Sequence, residues 1–351
     1  MEDPQTAEDI ALETPVSNVF IPPSINEQAL LAGDSYTYFS AIPPSLLPSP
    51  SSPATSTAPT DSETSAATGT PVCLGVDEAG RGPVLGPMVY GVFFLPLPLS
   101  DPLLRETHHF DDSKVLTPAV RSQLMTALCT TGSDLAESCG FAISALSARD
   151  ISSGMMRPGA NYNLNAQAMD ATVDLIKGVF ARGVNVQEIY VDTVGQPAAY
   201  QAKLQRFFPA TKITVAKKAD SLYPCVSAAS VCAKVTRDAA LEVLYKARAG
   251  EVSTGSDEGM AWGSGYPSDG RCVSWMRSNM HPVFGWGPEC RFSWGTAKDM
   301  LEAKGSLKVE WPEEDDGETA RMTDFFVSAD KDEDGDELGT WFGRPAGLEA
   351  F

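Results

Sequence analysis

Two adjacent acids at the end of an apolar run constrain this chain more than any other feature. Leu74 to Val76 reads as a strand, Asp77 and Glu78 stand at its mouth, and Ala79-Gly80-Arg81-Gly82-Pro83 turns the chain away. Glycines there let backbone N–H groups approach an anion or a sugar that a side chain would block. A lone acidic pair beside glycines is ordinarily a solvated turn. Its weight here comes from recurrence. Asp192 follows the apolar run Ile189-Tyr190-Val191, and Asp220 follows Ile213-Thr214-Val215 by way of Lys217-Lys218. Carboxylates at strand ends in an α/β domain converge at one edge of the sheet, where open α/β folds place their ligands.

Four acids brought together repel one another, and Mg²⁺ or Mn²⁺, hard ions that prefer carboxylate and water oxygens, relieve that repulsion. Two such ions about 4 Å apart can activate a water and stabilise the leaving oxygen of a phosphodiester. The motif therefore points to metal-assisted chemistry on a nucleic-acid backbone. A net charge of −20 over 351 residues argues against such a partner until it is divided by region. Residues 1–70 carry −9 and residues 304–351 carry −9, which leaves −2 for the stretch between them. A nearly neutral middle with local Lys and Arg can still grip phosphates.

Composition also sets the frame. Residues 1–70 are rich in Pro, Ser, Thr and Ala and read as a disordered extension, with Val19-Phe20-Ile21 and Tyr36-Thr37-Tyr38-Phe39 as short docking segments. From Pro71 strand and helix signals alternate. Val72 to Val76 and Met88 to Leu95 read as an antiparallel pair, and Phe141 to Leu146 as a third strand. Thr117-Pro118 opens a helix to about Thr130, and Leu164, Met169, Val173, Ile176 and Phe180 mark one side of another over Asn163 to Arg182. Glu188 to Val191, a helix near Ala198 to Phe207, and Ile213 to Val215 form a β-α-β passage. Tyr223 to Ala249 reads as a helix whose early Ala and Ser allow close packing. The pattern predicts an α/β fold with a mixed five-stranded sheet flanked by helices, its core spanning 71–250. Residues 251–303, with helices expected near Asp269 to Met280 and Pro288 to Glu302, read as a helical cap packed by Trp262, Trp275, Trp286 and Trp294. Residues 304–351 read as an acidic solvated tail.

Seven cysteines with no Cys-x-x-Cys pair signal neither a disulfide framework nor a zinc knuckle, so a reducing intracellular setting is expected. No secretion signal and no membrane span is read from the sequence.

Between about Pro71 and Leu301 the chain resembles the large catalytic subunits of eukaryotic type 2 ribonuclease H. The likeness runs through Asp77 to Met88, Asp112-Ser113-Lys114, Asn163-Leu164-Asn165, Asp192-Thr193-Val194-Gly195, Ala219 to Pro224, Ser227 to Asp238, and Gly263 to Asp269. The resemblance implies a ribonuclease H-like sheet and endonucleolytic cleavage of the RNA strand of RNA–DNA hybrids. It further implies incision 5′ to single ribonucleotides in duplex DNA, a nuclear location, and a heterotrimer with two accessory subunits docked on the cap.

By motif position, Asp77, Glu78, Asp192 and Asp220 would be catalytic and bind two Mg²⁺ or Mn²⁺ ions. Gly80, Arg81 and Gly82 would read the ribose 2′-hydroxyl, the group by which proteins tell RNA from DNA. Tyr266 would press on the sugar at the ribonucleotide-to-DNA junction, and Lys114, Lys234 and Arg237 would contact phosphates. Where many relatives have His before Asp, this chain has Met169-Asp170. Thr319 to Phe326 is similar to a sliding-clamp-binding motif, with Thr319 in place of the usual Gln. Two other readings stay open: a non-catalytic subunit that holds hybrids, and another nuclease or integrase of the same broad fold.

Overall fold

A computed structural model describes residues 20–48, 69–157, 162–193, 195–249 and 260–303. Among them, strands β1 (Tyr36–Phe39), β2 (Val72–Ala79), β3 (Met88–Pro96), β4 (Gly140–Leu146), β5 (Val186–Asp192) and β6 (Lys212–Ala216) form one sheet in the order β1-β4-β3-β2-β5-β6. The first four are paired antiparallel, while β5 and β6 run parallel to β2. The helices, in chain order, are α1 (Glu27–Ala32), α2 (Pro118–Cys129), α3 (Asp134–Ser138), α4 (Ala148–Met156), α5 (Leu164–Ala181), α6 (Pro197–Phe207), α7 (Ala219–Leu222), α8 (Pro224–Ala249), α9 (Gly270–Ser278) and α10 (Gly295–Leu301).

Alternation along β2 sorts the two faces. Val72, Leu74 and Val76 pack with α5 and α6 residues such as Ile176 and Leu204, whereas Cys73 packs with α8 and α2 residues such as Ala229 and Met125. Gly75 lies on the α8 face, where any Cβ would collide with the backbone of Cys225. Strand glycine and small helix residues together let α8 lie directly on the sheet, as its Ala-rich start implied. A third core joins α8 to the cap through Val84, Leu85, Leu241, Trp262, Met276 and Trp286. The cap thus shares its interior with the catalytic half, although the sequence changes texture at residue 250.

Three expectations are corrected. The sheet has six strands, because β1 pairs with β4 from Tyr36↔Ala145 to Phe39↔Ala142. The extension is therefore not uniformly disordered: residues 20–47 supply α1 and β1, bury Leu30 and Leu46, and hydrogen-bond Ser24 Oγ to Thr236 Oγ1 at 2.8 Å. The other parts of that expectation, and of the acidic tail, lie outside the described residues. Finally, Pro288 to Trp294 is not helical. Gly86 N–H donates to Glu289 O and Arg291 N–H to Val84 O, both at 2.8 Å, so these backbone groups are engaged with the loop after β2 instead of a helical ladder.

Candidate active site

β2 and β5 are neighbouring parallel strands, and Val76 and Val191 are register partners. Asp77 and Asp192, each one residue further on, consequently leave the sheet side by side at its carboxyl edge. β6 ends at the same edge, and the turn after it carries Asp220 on α7. Ala219 N–H donates to Asp192 Oδ1 at 2.8 Å, which pins that turn against β5. Lys218 just before it takes a left-handed backbone (φ 55°), uncommon for a residue with a side chain, to bring the turn round. Glu78 follows Asp77 in the strand and leaves on the opposite face.

Electrostatics unites the four. Burial pushes the Asp77 carboxyl well above its ordinary value, and the charges of Glu78, Asp192 and Asp220 add to that. Burial also raises Glu78, to about 7, despite Arg81 and Lys114 nearby. Asp220 is raised to about 6 by burial, then by Asp112 and Asp192. Asp112 stands in the Asp112-Ser113-Lys114 motif, but its approach to Asp220 had no signal in spacing.

Oxygen-only donors that disfavour their own ionisation fit a hard divalent cation. Among the described residues, no three of these side chains already close into a shell around one point.

Beside the acids lies the Gly80-Arg81-Gly82 turn, and what holds it was not visible in the sequence. Arg291, completely buried, donates from Nη2 to Gly80 O (2.6 Å), from Nη1 to Arg81 O (2.9 Å) and from Nε to Gly86 O (3.1 Å). Trp294 Nε1–H donates to Gly82 O at 2.9 Å and its ring faces the Arg291 guanidinium, so this tryptophan does more than pack the cap. Burial lowers the Arg291 pKa to about 9, with Arg237 nearby contributing. Gly80 has φ +77°, and a Cβ there would also press on Pro87 O. The Arg81 side chain donates to Asn165 Oδ1, and Asn163 caps the helix that carries Asn165. Tyr266 lies over the turn, since a Cβ on Gly82 would sit 3.2 Å from its Cε1.

Lys114 is exposed and near enough to Glu78 to influence its carboxyl. Lys234 pairs with Asp238 at 3.3 Å and keeps 22% of its side chain exposed. Arg237 corrects the expectation of a phosphate contact: its side chain is only 3% exposed, and Nη2 donates to Ser264 O at 2.6 Å. Met169 packs against the core, which accounts locally for an apolar residue at that position.

The ribonuclease HII family model matches residues 74–297, a span that contains every residue of this site. The chain belongs to the ribonuclease HII family. It is 63% identical over 337 residues to the A subunit of ribonuclease H2 from Neurospora crassa, covering 95% of this chain and 97% of that one. Its fold matches the crystal structure of ribonuclease H2 from Pyrococcus horikoshii with a TM-score of 0.52 and 29% identity, over 66% of this chain and 97% of that one. A second likeness, also with a TM-score of 0.52 but 23% identical, is to the RNase HII of Archaeoglobus fulgidus in a PCNA complex, over 66% of this chain and 97% of that one. Membership makes the chain an endoribonuclease of RNA–DNA hybrids, of the large catalytic type. No helix among the described residues is long and apolar enough to cross a membrane.

Proposed function

We propose that this ribonuclease H also incises duplex DNA 5′ to a single embedded ribonucleotide, leaving a 3′-hydroxyl and a 5′-phosphate. The observation that supports it is the turn whose three carbonyls, of Gly80, Arg81 and Gly82, are all bound from behind by Arg291 and Trp294. With its acceptors taken, the turn meets a sugar through donors, and a lone 2′-hydroxyl is the one feature that marks a single ribonucleotide in DNA.

Asp77, Glu78, Asp192 and Asp220 would hold two Mg²⁺ or Mn²⁺ ions, which when bound supply Lewis acidity to the phosphate and activate a water. The protein's own part is positioning. Arg81, steadied by Asn165, and Tyr266 orient the sugar, while Lys114 and part-exposed Lys234 hold flanking phosphates. This activity would serve ribonucleotide removal during DNA replication and repair in the nucleus.

By its likeness to the A subunits of ribonuclease H2 the chain would act in a heterotrimer with two accessory subunits. Thr319 to Phe326 lies outside the described residues, and its sequence alone suggests a sliding clamp as a further partner. A fluorescent peptide spanning 315–330 should bind the clamp, and the same peptide with Phe325→Ala should not.

The decisive experiment compares a DNA duplex carrying one ribonucleotide with an all-DNA duplex and an RNA–DNA hybrid, with Mg²⁺ or EDTA. Cleavage of the first and third alone, abolished by Asp77→Ala or Asp192→Ala, is expected. Cleavage of the hybrid without incision at the single ribonucleotide would reject the finer specificity, and metal-independent turnover would reject the mechanism. Hybrid binding with no cleavage under any condition would favour the non-catalytic alternative.

A further inference from the structure

α8 carries an ion cluster whose reach exceeds the helix. Asp238 Oδ1 is 3.3 Å from Lys234 Nζ and 3.3 Å from Arg237 Nη1, and the Arg121 guanidinium of α2 also lies close enough to act on its charge. Burial pushes the Asp238 carboxyl up, yet Lys234, Arg237 and Arg121 outweigh it and hold it below the ordinary carboxylate range. Two of these cations also donate to loops that flank the acids. Arg121, 2% exposed, donates from Nη1 to Leu116 O (2.6 Å) and to Ser113 O, inside the loop that bears Asp112 and Lys114. Arg237 donates from Nη2 to Ser264 O (2.6 Å), in the turn that bears Tyr266, and its guanidinium carbon stands 5.8 Å from the Tyr266 ring centre.

We propose that Asp238 is a positioning residue that fixes both substrate-facing loops, 112–116 through Arg121 and 263–266 through Arg237, at set distances from the catalytic edge. Asp238 is the carboxylate that Lys234 and Arg237 both approach at 3.3 Å and on which the charge of Arg121 also acts, so its removal withdraws one counter-charge from all three cations. The inference rests on the substrate roles given above to Lys114 and Tyr266.

Double-mutant coupling in the full-length chain, purified with its partner subunits, tests it. Lys114→Ala in the otherwise native chain is expected to raise KM for a ribonucleotide-bearing duplex about tenfold, the scale of one lost phosphate contact. Tyr266→Ala is expected to lower kcat by at least as much. In an Asp238→Asn background, assayed well below its melting temperature, each added cost should shrink to less than about threefold, because the loops have already left their places. Asp238→Glu, which restores the charge, should recover most of both. A merely stabilising Asp238 would lower the melting temperature and leave both costs at full size, and that result overturns the proposal.

Should Asp238→Asn fail to fold, Arg121→Lys carries the test. It keeps a cation beside Asp238 but, being shorter, cannot place a donor where Arg121 Nη1 serves both Ser113 O and Leu116 O, so it should reduce the Lys114 cost and spare that of Tyr266. Undiminished Lys114 cost in that variant overturns the proposal. If Lys114→Ala and Tyr266→Ala cost nothing in the otherwise native chain, the substrate reading of the loops is wrong and the proposal falls with it.

Discussion

Arg291 Nη2 donates a hydrogen bond of 2.6 Å to the Gly80 carbonyl, across more than two hundred residues of chain. A fully buried guanidinium with no carboxylate on its donors among the described residues is costly to keep, and here its donors are spent on three carbonyls of the loop that follows β2. Arg291→Lys retains a charge but cannot span Gly80, Arg81 and Gly86 together. It should lower stability by about 3 kcal/mol and kcat/KM on a ribonucleotide-bearing duplex by ten- to a hundredfold. Thermal melts and steady-state kinetics on one preparation check both.

The carboxylates oppose the fold that assembles them. Asp220 titrates near 6 when folded and near 3.8 in an unfolded chain, so its ionisation disfavours the native state above about pH 4. The stability it withholds grows as pH rises from about 4 to 6, up to about 3 kcal/mol, and is constant beyond. Asp220→Asn should therefore abolish cleavage yet raise the melting temperature in EDTA at pH 8, with the gain vanishing near pH 4. A lower melting temperature at pH 8 would contradict this account of the cluster.

Activity should also depend on pH through the same groups. With Glu78 near 7 and Asp220 near 6, cleavage at limiting Mg²⁺ is expected to climb between about pH 6 and 8. Metal and protons compete for these oxygens, so tenfold more Mg²⁺ should move the midpoint down by up to about one unit. A midpoint indifferent to Mg²⁺ would place the titrating group elsewhere.

The amino-terminal segment should be integral to the fold. Deleting residues 1–47 removes β1 from the edge of β4 and withdraws Leu30 and Leu46 from two cores, each worth about 2 kcal/mol. The shortened chain should melt several degrees lower and scatter light on concentration, since a bare strand edge is a template for pairing.

Local chemistry was legible in the sequence where it depended on neighbours in the chain. β2, β3 and β4 announced themselves by apolar runs, α2 by Thr117 followed by Pro118, and α5 by Asn163 and the spacing of its apolar side. The four acids stood out because Asp77 and Glu78 close β2, Asp192 closes β5, and Asp220 follows β6 by a short turn, on three strands that run the same way. What stayed hidden is held by contacts between distant segments. Tyr36 to Phe39 is too short to declare itself a strand without β4 beside it, and it lies beyond a Pro- and Ser-rich stretch. Arg291 and Trp294 look like ordinary cap residues until the fold shows which carbonyls they bind. Arg237 misled for the converse reason: helix spacing puts it beside Lys234, but only the fold reveals that it is buried.

The long separation between Gly80 and Arg291 has a consequence for biosynthesis. A nascent chain emerges from the ribosome with Asp77, Glu78, Asp192 and Asp220 all present before Arg291 and Trp294 have been made. At ordinary elongation rates of about 5–20 residues per second, several seconds separate the last acid from the residues that hold the Gly80-Arg81-Gly82 turn. The chain is thus made in an order that completes its four clustered acids before the two residues that hold the neighbouring turn, so under the roles proposed above a translation product that ends before Arg291 would carry the acids without the support of the turn meant to read the sugar.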